Sequence, residues 1–194
     1  MQHKTTYFDN PGPINTDALL KAVKDILATS DIKHVVISST SGNTALKAWE
    51  ILKETNVKLV CVGEHTGFFG NDEQRITSDI KKELIEKGIE VVICAHALSG
   101  VERSISSKLG GVSRVEIIAW VLRQFGTDGL KVAVECSVMA ADSGAIPTDK
   151  EIISIGGTKG GVDTAIILKP AHMNNFFDLE IREIIAKPRQ RQSG

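Results

Sequence analysis

Apolar runs of strand length alternate with amphipathic runs of helix length through the first two thirds of the sequence, and this alternation constrains the fold most strongly. Helices are predicted where apolar residues recur every three or four positions, over residues 16–28, 43–54, 78–87 and 113–125. Strands are predicted at the apolar runs between them, over residues 33–37, 58–62, 89–94 and 130–138. Residues 95–112 follow neither pattern and are predicted to form a long loop. Strands that alternate with helices form a parallel sheet with helices on both faces.

The last third of the sequence contains short apolar runs without helices between them. Strands are predicted over residues 151–155, 164–168 and 181–187, joined by polar or glycine-rich loops. We expect these strands to pair as edge strands or as an antiparallel hairpin of the same sheet. The sequence therefore predicts an α/β fold with a mostly parallel, mixed sheet, formed by a single domain over residues 1–194, with a strand-rich C-terminal extension.

The composition excludes several classes of function. The chain has 194 residues, a formal net charge of -1 and 42% hydrophobic residues, which is typical of a globular protein. This charge gives no electrostatic basis for binding nucleic acid or an anionic membrane. No apolar run approaches the roughly 20 residues of a membrane span, and the N-terminus lacks the apolar core of a signal peptide. We expect a cytoplasmic protein; the oligomeric state stays open, with a homo-oligomer as one option.

The cysteines and histidines do not form a recognisable metal site. Cys61, Cys94 and Cys136 lie in apolar runs without a Cys-x-x-Cys pair, so we expect buried, reduced thiols. His65, His96 and His172 each follow an apolar run, but their spacing is not that of ligand pairs. The sequence therefore predicts no bound metal.

A hydroxyl-rich turn follows the first predicted strand of the sheet. It consists of Ser38, Ser39, Thr40, Ser41, Gly42, Asn43 and Thr44. The free amides and the positive dipole end of a following helix, together with these hydroxyls, suit a phosphate monoester. One hydroxyl would be enough to cap the helix, so the excess favours a phosphate site. The turn has neither the lysine of a Walker loop nor a Gly-x-Gly-x-x-Gly pattern.

Polar and glycine residues also follow the other predicted strands. Ligands of open α/β sheets bind beyond the carboxyl ends of the strands, so these residues are candidates for the same site. The candidates are His65, Thr66, Gly67, Ser99, Arg103, Arg114, Asp142, Ser143, Gly157, Thr158, Lys159, His172 and Asn174. A flexible hairpin turn would explain stretch 156–161 equally well. A solvated loop would also explain stretch 103–114, but the length of that loop favours a functional role.

Several motifs resemble the C-terminal α/β domain of pyruvate kinase. They are Ser39-Thr40-Ser41-Gly42-Asn43-Thr44-Ala45 and the glycine loop at 156–161 followed by Asp163-Thr164. Residues 98–106, 139–147 and 170–177 extend the resemblance to small archaeal stand-alone proteins built on that domain. The resemblance implies a three-layer α/β/α fold with a five-stranded mixed sheet. It also implies bound flavin mononucleotide (FMN) without an established reaction. The turn alone also resembles the phosphate loop of flavodoxins.

The resulting hypothesis is an FMN-binding protein, with an oxidoreductase activity as its extension. The flavin ring would lie near His65, the 99–114 segment and residues 172–177, where Phe176-Phe177, like Phe68-Phe69, could cover a planar ligand. Pyruvate kinase activity is not expected, because its chemistry belongs to a separate barrel domain. The first alternative is a non-catalytic sensor or binding module for a small phosphorylated metabolite. Another is hydrolysis or isomerisation of a sugar phosphate by Glu102, Asp142 or His172.

Overall fold

A mixed sheet of seven strands organises residues 4–190, the part of the chain that the computed structural model describes. The strands are β1 (Thr6–Phe8), β2 (His34–Ser38), β3 (Lys58–Gly63), β4 (Glu90–Ile93), β5 (Ile152–Gly156), β6 (Thr164–Lys169) and β7 (Glu180–Pro188). The α-helices are α1 (Thr16–Leu27), α2 (Asn43–Leu52), α3 (Ser78–Glu86), α4 (Gly100–Leu109), α5 (Arg114–Arg123) and α6 (Asp128–Asp142). Two 3-10 segments cover Pro13–Asn15 and Met173–Asp178.

The order of the strands is β1-β7-β6-β5-β2-β3-β4. Strands β5, β2, β3 and β4 pair in parallel, β6 is antiparallel to both β5 and β7, and β1 is parallel to β7. The predicted α/β class with a mixed, mostly parallel sheet is confirmed. The expected number of five strands is wrong, because β7 and the three-residue strand β1 extend the sheet beyond β6. Such a short strand leaves almost no periodic signal in a sequence.

Apolar helices cover both faces of the sheet. Alternate residues of β2 point to opposite faces, so Val35 and Ile37 join one core while Val36 joins the other. The first core also contains Leu19 of α1 and side chains of α2 and α3, and the second is formed largely by α6. The sheet is therefore the middle of three layers. Among residues 4–190, no helix has the length and apolar composition needed to cross a bilayer.

The predicted strand at residues 130–138 is wrong, because these residues lie in the middle of α6. Twelve of the fifteen residues of α6 are buried, so its apolar side chains surround the helix and leave no stripe of helical period. A fully buried helix and a fully buried strand look alike in such a run. Thr127 marks the true helix start, since its hydroxyl accepts a hydrogen bond from Gly129 N–H at 3.3 Å.

The predicted loop over residues 95–112 contains helix α4 and is therefore also wrong. No residue of α4 is buried in the structure as described. The helix therefore lacks the strong apolar face on which a prediction of helix depends. A helical signal was nevertheless present, because Val101, Ile105 and Leu109 follow one another at intervals of four. The next helix, α5, begins with a capping box in which Ser113 Oγ and Glu116 exchange hydrogen bonds with each other's backbone amides.

The direction of α6 moves several predicted site residues to the other edge of the sheet. The helix runs antiparallel to β5 and ends near the amino edge of the parallel strands, where Lys58 Nζ donates to Ala145 O at 3.0 Å. The antiparallel β6 brings the following segment to the same edge, where His172 Nδ1 lies 2.9 Å from Asp142 Oδ1. The expected position at the carboxyl edge is therefore wrong for the four residues Asp142, Ser143, His172 and Asn174.

Candidate functional site

A cavity of about 720 Å³ opens at the carboxyl edge of the parallel strands. It is lined by the turn after β2, the loops after β3 and β4, helix α4, the end of α5, residues 128–139 of α6 and the glycine loop after β5. Its volume is in the usual range of pockets that hold small molecules and cofactors. Its position is that of the ligand crevice in open α/β sheets.

The hydroxyl-rich turn forms one wall of this cavity. Six of its seven predicted residues line the cavity: Ser38, Ser39, Thr40, Ser41, Asn43 and Thr44. Helix α2 starts at Asn43, and within residues 4–190 no side chain caps it. The hydroxyls are therefore not used as helix caps, and the amides of the first turn remain available to an anion.

Ser39 carries a buried hydroxyl without a partner. The residue is only 4% exposed, and its Oγ has no hydrogen-bond partner in the described part of the chain. Leaving a buried polar group unpaired costs about 1–3 kcal/mol. Because Ser39 lines the cavity, its hydroxyl is a candidate donor to a ligand oxygen at this wall.

Gly42, the seventh residue of the turn, packs the helices together and does not line the cavity. Its φ is +87°, and a Cβ atom here would lie 2.4 Å from Ile80 Cγ2 and 3.2 Å from Leu84 Cδ1 on α3. The glycine is therefore required by the left-handed conformation and by the close approach of α3. Close contact with a ligand is not needed to explain it.

Five cations line the cavity, and three of them have carboxylate partners. The pairs are Arg75–Glu73, Arg123–Asp128 and Lys131–Glu135. The other two are Arg103 on α4 and Lys159 in the glycine loop, and neither makes an ion pair or a hydrogen bond with another residue of 4–190. Two exposed positive charges thus remain free to balance an anionic ligand.

A buried ion pair lies at the base of the cavity. Lys131 and Glu135 are one helical turn apart on α6, with side chains 6% and 5% exposed. Glu135 Oε1 also accepts a hydrogen bond from Leu98 N–H at 2.8 Å, which ties the loop after β4 to α6. Sequence reasoning missed both residues because α6 was predicted as a strand. Two opposite charges at i and i+4 within an apolar run were the signal that could have identified them.

An aromatic cluster forms the wall beyond β3. The ring of Phe68 lies 5.5 Å from His65, 4.8 Å from His96 and 5.0 Å from Phe69, measured between centroids. The Arg75 guanidinium lies over Phe69 at 4.4 Å. Burial lowers the pKa of His96, which favours its neutral form. Phe68, Phe69 and His96 line the cavity and offer aromatic surface to a planar ligand.

The glycine loop closes the opposite side. Gly157, Lys159, Gly160 and Gly161 line the cavity, whereas Thr158 is buried behind them. A Cβ on Gly157 would lie 1.9 Å from Gly161 O, so only glycine fits this tight turn. The buried Asp163 fixes its far end by accepting hydrogen bonds from Gly12 N–H and from the Thr164 hydroxyl, both at 2.9 Å.

The predicted site residues thus fall into three groups. Those that line the cavity are the six turn residues, Ser99, Arg103, Gly157 and Lys159. Gly42, His65, Thr66, Gly67, Arg114 and Thr158 do not line it, although His65 contacts the lining rings of Phe68 and His96. The group at the amino edge consists of Asp142, Ser143, His172 and Asn174.

The cysteine thiols are free, and two of them are buried. Burial raises the pKa of Cys61 to about 12 and that of Cys136 well above its usual value. Cys136 lies on α6 rather than on a strand. Between residues 4 and 190, no group of three or more His, Cys, Asp or Glu side chains is arranged to hold a metal ion.

One protein family matches most of the sequence. The family model described as "Pyruvate kinase, alpha/beta domain" covers residues 17–168. This stretch contains the five strands from β2 to β6, the hydroxyl-rich turn and the glycine loop, while β1 and β7 lie outside it. The two strands that exceed the expected five are thus additions outside the matched region.

Proposed function

Because the chain belongs to the pyruvate kinase alpha/beta domain family, we propose that its cavity binds a phosphorylated small molecule, specifically FMN. The observation that carries the proposal is the uncapped start of α2, which meets the cavity together with the unpartnered hydroxyl of Ser39. The phosphate would accept hydrogen bonds from the Ser39 hydroxyl and from the first-turn amides of α2. Hydrogen bonds to a charged group contribute about 1.5–3 kcal/mol each.

The charges around the cavity support an anionic ligand. Arg103 on α4 and Lys159 in the glycine loop come from different elements, and neither forms an ion pair within residues 4–190, although Arg103 acts electrostatically on Glu116. Their long side chains can reach a phosphate and pair with it without breaking an existing ion pair.

The aromatic cluster supports a flavin in particular. Phe68 and His96 line the same cavity as the turn, so an extended ligand can reach both walls. The earlier expectation that residues 172–177 approach the ring is replaced, because His172 lies at the amino edge. A bound flavin supplies redox chemistry of its own, whereas these residues bind it, orient it and exclude water.

A non-catalytic binding module for another phosphorylated metabolite is the second candidate. The free cations Arg103 and Lys159 favour it, because they recognise a phosphate whatever ring it carries. Hydrolysis or isomerisation of a sugar phosphate loses its basis. Asp142 and His172 contact each other at the other edge, and Glu102 does not line the cavity.

The absorption spectrum of the purified protein and a titration with FMN test the proposal. We expect a blue-absorbing, yellow protein, or one that takes up FMN when it is supplied. Arg103→Gln and Lys159→Gln should each weaken FMN binding roughly tenfold. Lys108→Gln removes a cation from α4 that does not line the cavity, and it should leave the affinity unchanged. FMN binding that is absent, or equal in all four proteins, would contradict the proposal.

If FMN binds, reduction by a nicotinamide cofactor distinguishes an oxidoreductase from a carrier. Rapid reduction of the bound flavin supports the enzyme. If FMN does not bind but a sugar phosphate does, the binding module is the correct alternative.

A further inference from the structure

Glu64 lines the cavity, and one of its two carboxylate oxygens has no hydrogen-bond partner in the described part of the chain. It directly follows β3, and its Oε1 accepts a hydrogen bond from the Thr40 hydroxyl at 3.2 Å. Its Oε2 is buried and has no hydrogen-bond partner within residues 4–190. Burial also raises the pKa of Glu64. The carboxylate therefore stands beside the hydroxyl-rich turn with half of its accepting capacity unfilled.

The surrounding structure holds Glu64 in place. β2 and β3 pair with Ser38 opposite Val62, so the ends of both strands lie side by side. The backbone carbonyl of Glu64 accepts a hydrogen bond from Gln74 Nε2 at 3.2 Å, and Gln74 Oε1 accepts one from Ile76 N–H at 3.0 Å. A long loop thus fastens the residue from the side away from the turn.

The neighbouring cations are already engaged elsewhere. Arg75 and His65 both act electrostatically on Glu64. However, Arg75 Nε pairs with Glu73 at 2.8 Å, and its guanidinium lies over Phe69. His65 Nδ1 lies 2.9 Å from the carbonyl oxygen of Thr66. The described chain therefore provides no ready donor for the unused oxygen.

An ionised carboxylate accepts hydrogen bonds but cannot donate them, and it repels a phosphate. A phosphate site that includes such a group fits a ligand with a donor close to its phosphate. We propose that Glu64 accepts a hydrogen bond from a ligand hydroxyl near the phosphate ester, which makes the site selective for phosphate esters of polyols and sugars. This inference rests on the proposed function. It specifies that the ligand has a hydroxyl group on the carbon chain next to its phosphate.

The ribityl chain of FMN and the carbon chain of a sugar phosphate both satisfy this requirement. The shared feature is a hydroxyl within a few atoms of a phosphate monoester. An ester of a plain alkyl alcohol lacks it, and so does inorganic phosphate. The selectivity can therefore be measured with two probes that differ only in hydroxyl groups.

The test uses glycerol 3-phosphate and propyl phosphate, titrated into the wild type, Glu64→Ala, Glu64→Gln and Glu54→Gln. The wild type should prefer glycerol 3-phosphate roughly tenfold. Glu64→Ala should remove this preference while it leaves propyl phosphate binding unchanged or tighter, because a repelling charge is lost. Glu64→Gln should reduce the preference. Glu54→Gln makes the same change of charge at an exposed side chain outside the cavity lining, and it should keep the preference.

The outcomes separate the inference from the function on which it rests. If Glu64→Ala binds both esters more weakly by the same factor, or keeps the tenfold preference, Glu64 is structural and the inference is wrong. If the wild type binds neither these esters nor FMN, the proposed function fails as well. FMN binding much tighter than ribose 5-phosphate would identify a flavin as the source of the hydroxyls. Equal binding would identify a sugar phosphate, and Glu64→Ala should weaken either ligand.

Discussion

His172 Nδ1 lies 2.9 Å from Asp142 Oδ1, at the edge of the sheet opposite to the cavity. The Asp142 carboxylate also accepts a hydrogen bond from Met173 N–H at 3.2 Å, so it fixes the segment that follows β6 against the end of α6. These hydrogen bonds explain the positions of Asp142 and His172 without a ligand. The two side chains hold the segment after β6 in place.

His172→Ala should therefore leave ligand binding unchanged. The exposed contact with Asp142 contributes little to stability, because solvent screens it. We expect a slightly lower melting temperature and a full increase of that temperature on addition of FMN. Thermal unfolding with and without FMN measures both quantities. Loss of the ligand-dependent increase would place His172 at the binding site after all.

Ser39→Ala should stabilise the ligand-free protein while it weakens ligand binding. The substitution removes a buried hydroxyl without a partner in the described chain, so the free energy of unfolding should rise by about 1 kcal/mol. Ser154→Ala is the matched control, because the buried Ser154 hydroxyl donates to Ala133 O at 2.6 Å. That variant should lose about 1 kcal/mol. Urea denaturation compares the two, and equal losses would show that the Ser39 hydroxyl is satisfied in solution.

Gly42→Ala should destabilise the fold by roughly 1–3 kcal/mol, because it combines a strained φ with a clash against Ile80. Gly144→Ala introduces a side chain at φ +76° with no atom within 4 Å, so strain alone should cost about 1 kcal/mol. Urea midpoints of both variants give the difference. An equal loss in the two proteins would mean that α2 and α3 adjust to the added methyl group.

His96 should make stability fall on acidification. Burial lowers the pKa of His96 from 6.5; Lys131, His65 and Arg103 add to the shift, and Glu135 opposes it. Below about pH 6.5 the His96 imidazole of the unfolded chain binds a proton that the native protein does not bind. The contribution of neutral His96 to the free energy of unfolding is therefore fully present above about pH 6.5 and is lost as the pH falls. His96→Gln should flatten the decrease of melting temperature between about pH 7.5 and about pH 5. An unchanged slope would contradict the buried, neutral state of His96.

Features that depend on residues adjacent in the sequence were predicted correctly. The prediction failed where contacts between residues far apart in the sequence determine the structure. The turn at Ser39–Thr44 was predicted as a binding element because its hydroxyls, its glycine and the helix start are contiguous, and in the structure it lines the cavity. Helix α6 was missed because burial on all sides erased its period, and this error also hid Lys131 and Glu135. It further reversed the direction of the chain at Asp142, which moved that residue to the wrong edge.

Glu64 shows a different limit of sequence reasoning. A single carboxylate after a strand carries no motif, and its importance arises from the adjacent turn and from its unused oxygen. Arg75 is similar, since only the folded loop brings it over Phe69. Such residues are identified only from the contacts and unsatisfied hydrogen-bonding groups of the folded structure.

The relative affinity of the protein for FMN and riboflavin tests the central claim most directly. The two ligands share the ring and the ribityl chain, and only FMN carries the phosphate that the turn is proposed to bind. Calorimetric titration should show that the wild type binds FMN at least about tenfold more tightly, and that Ser39→Ala reduces this ratio. Equal dissociation constants for the two flavins in the wild type would contradict the assignment of the turn as a phosphate site.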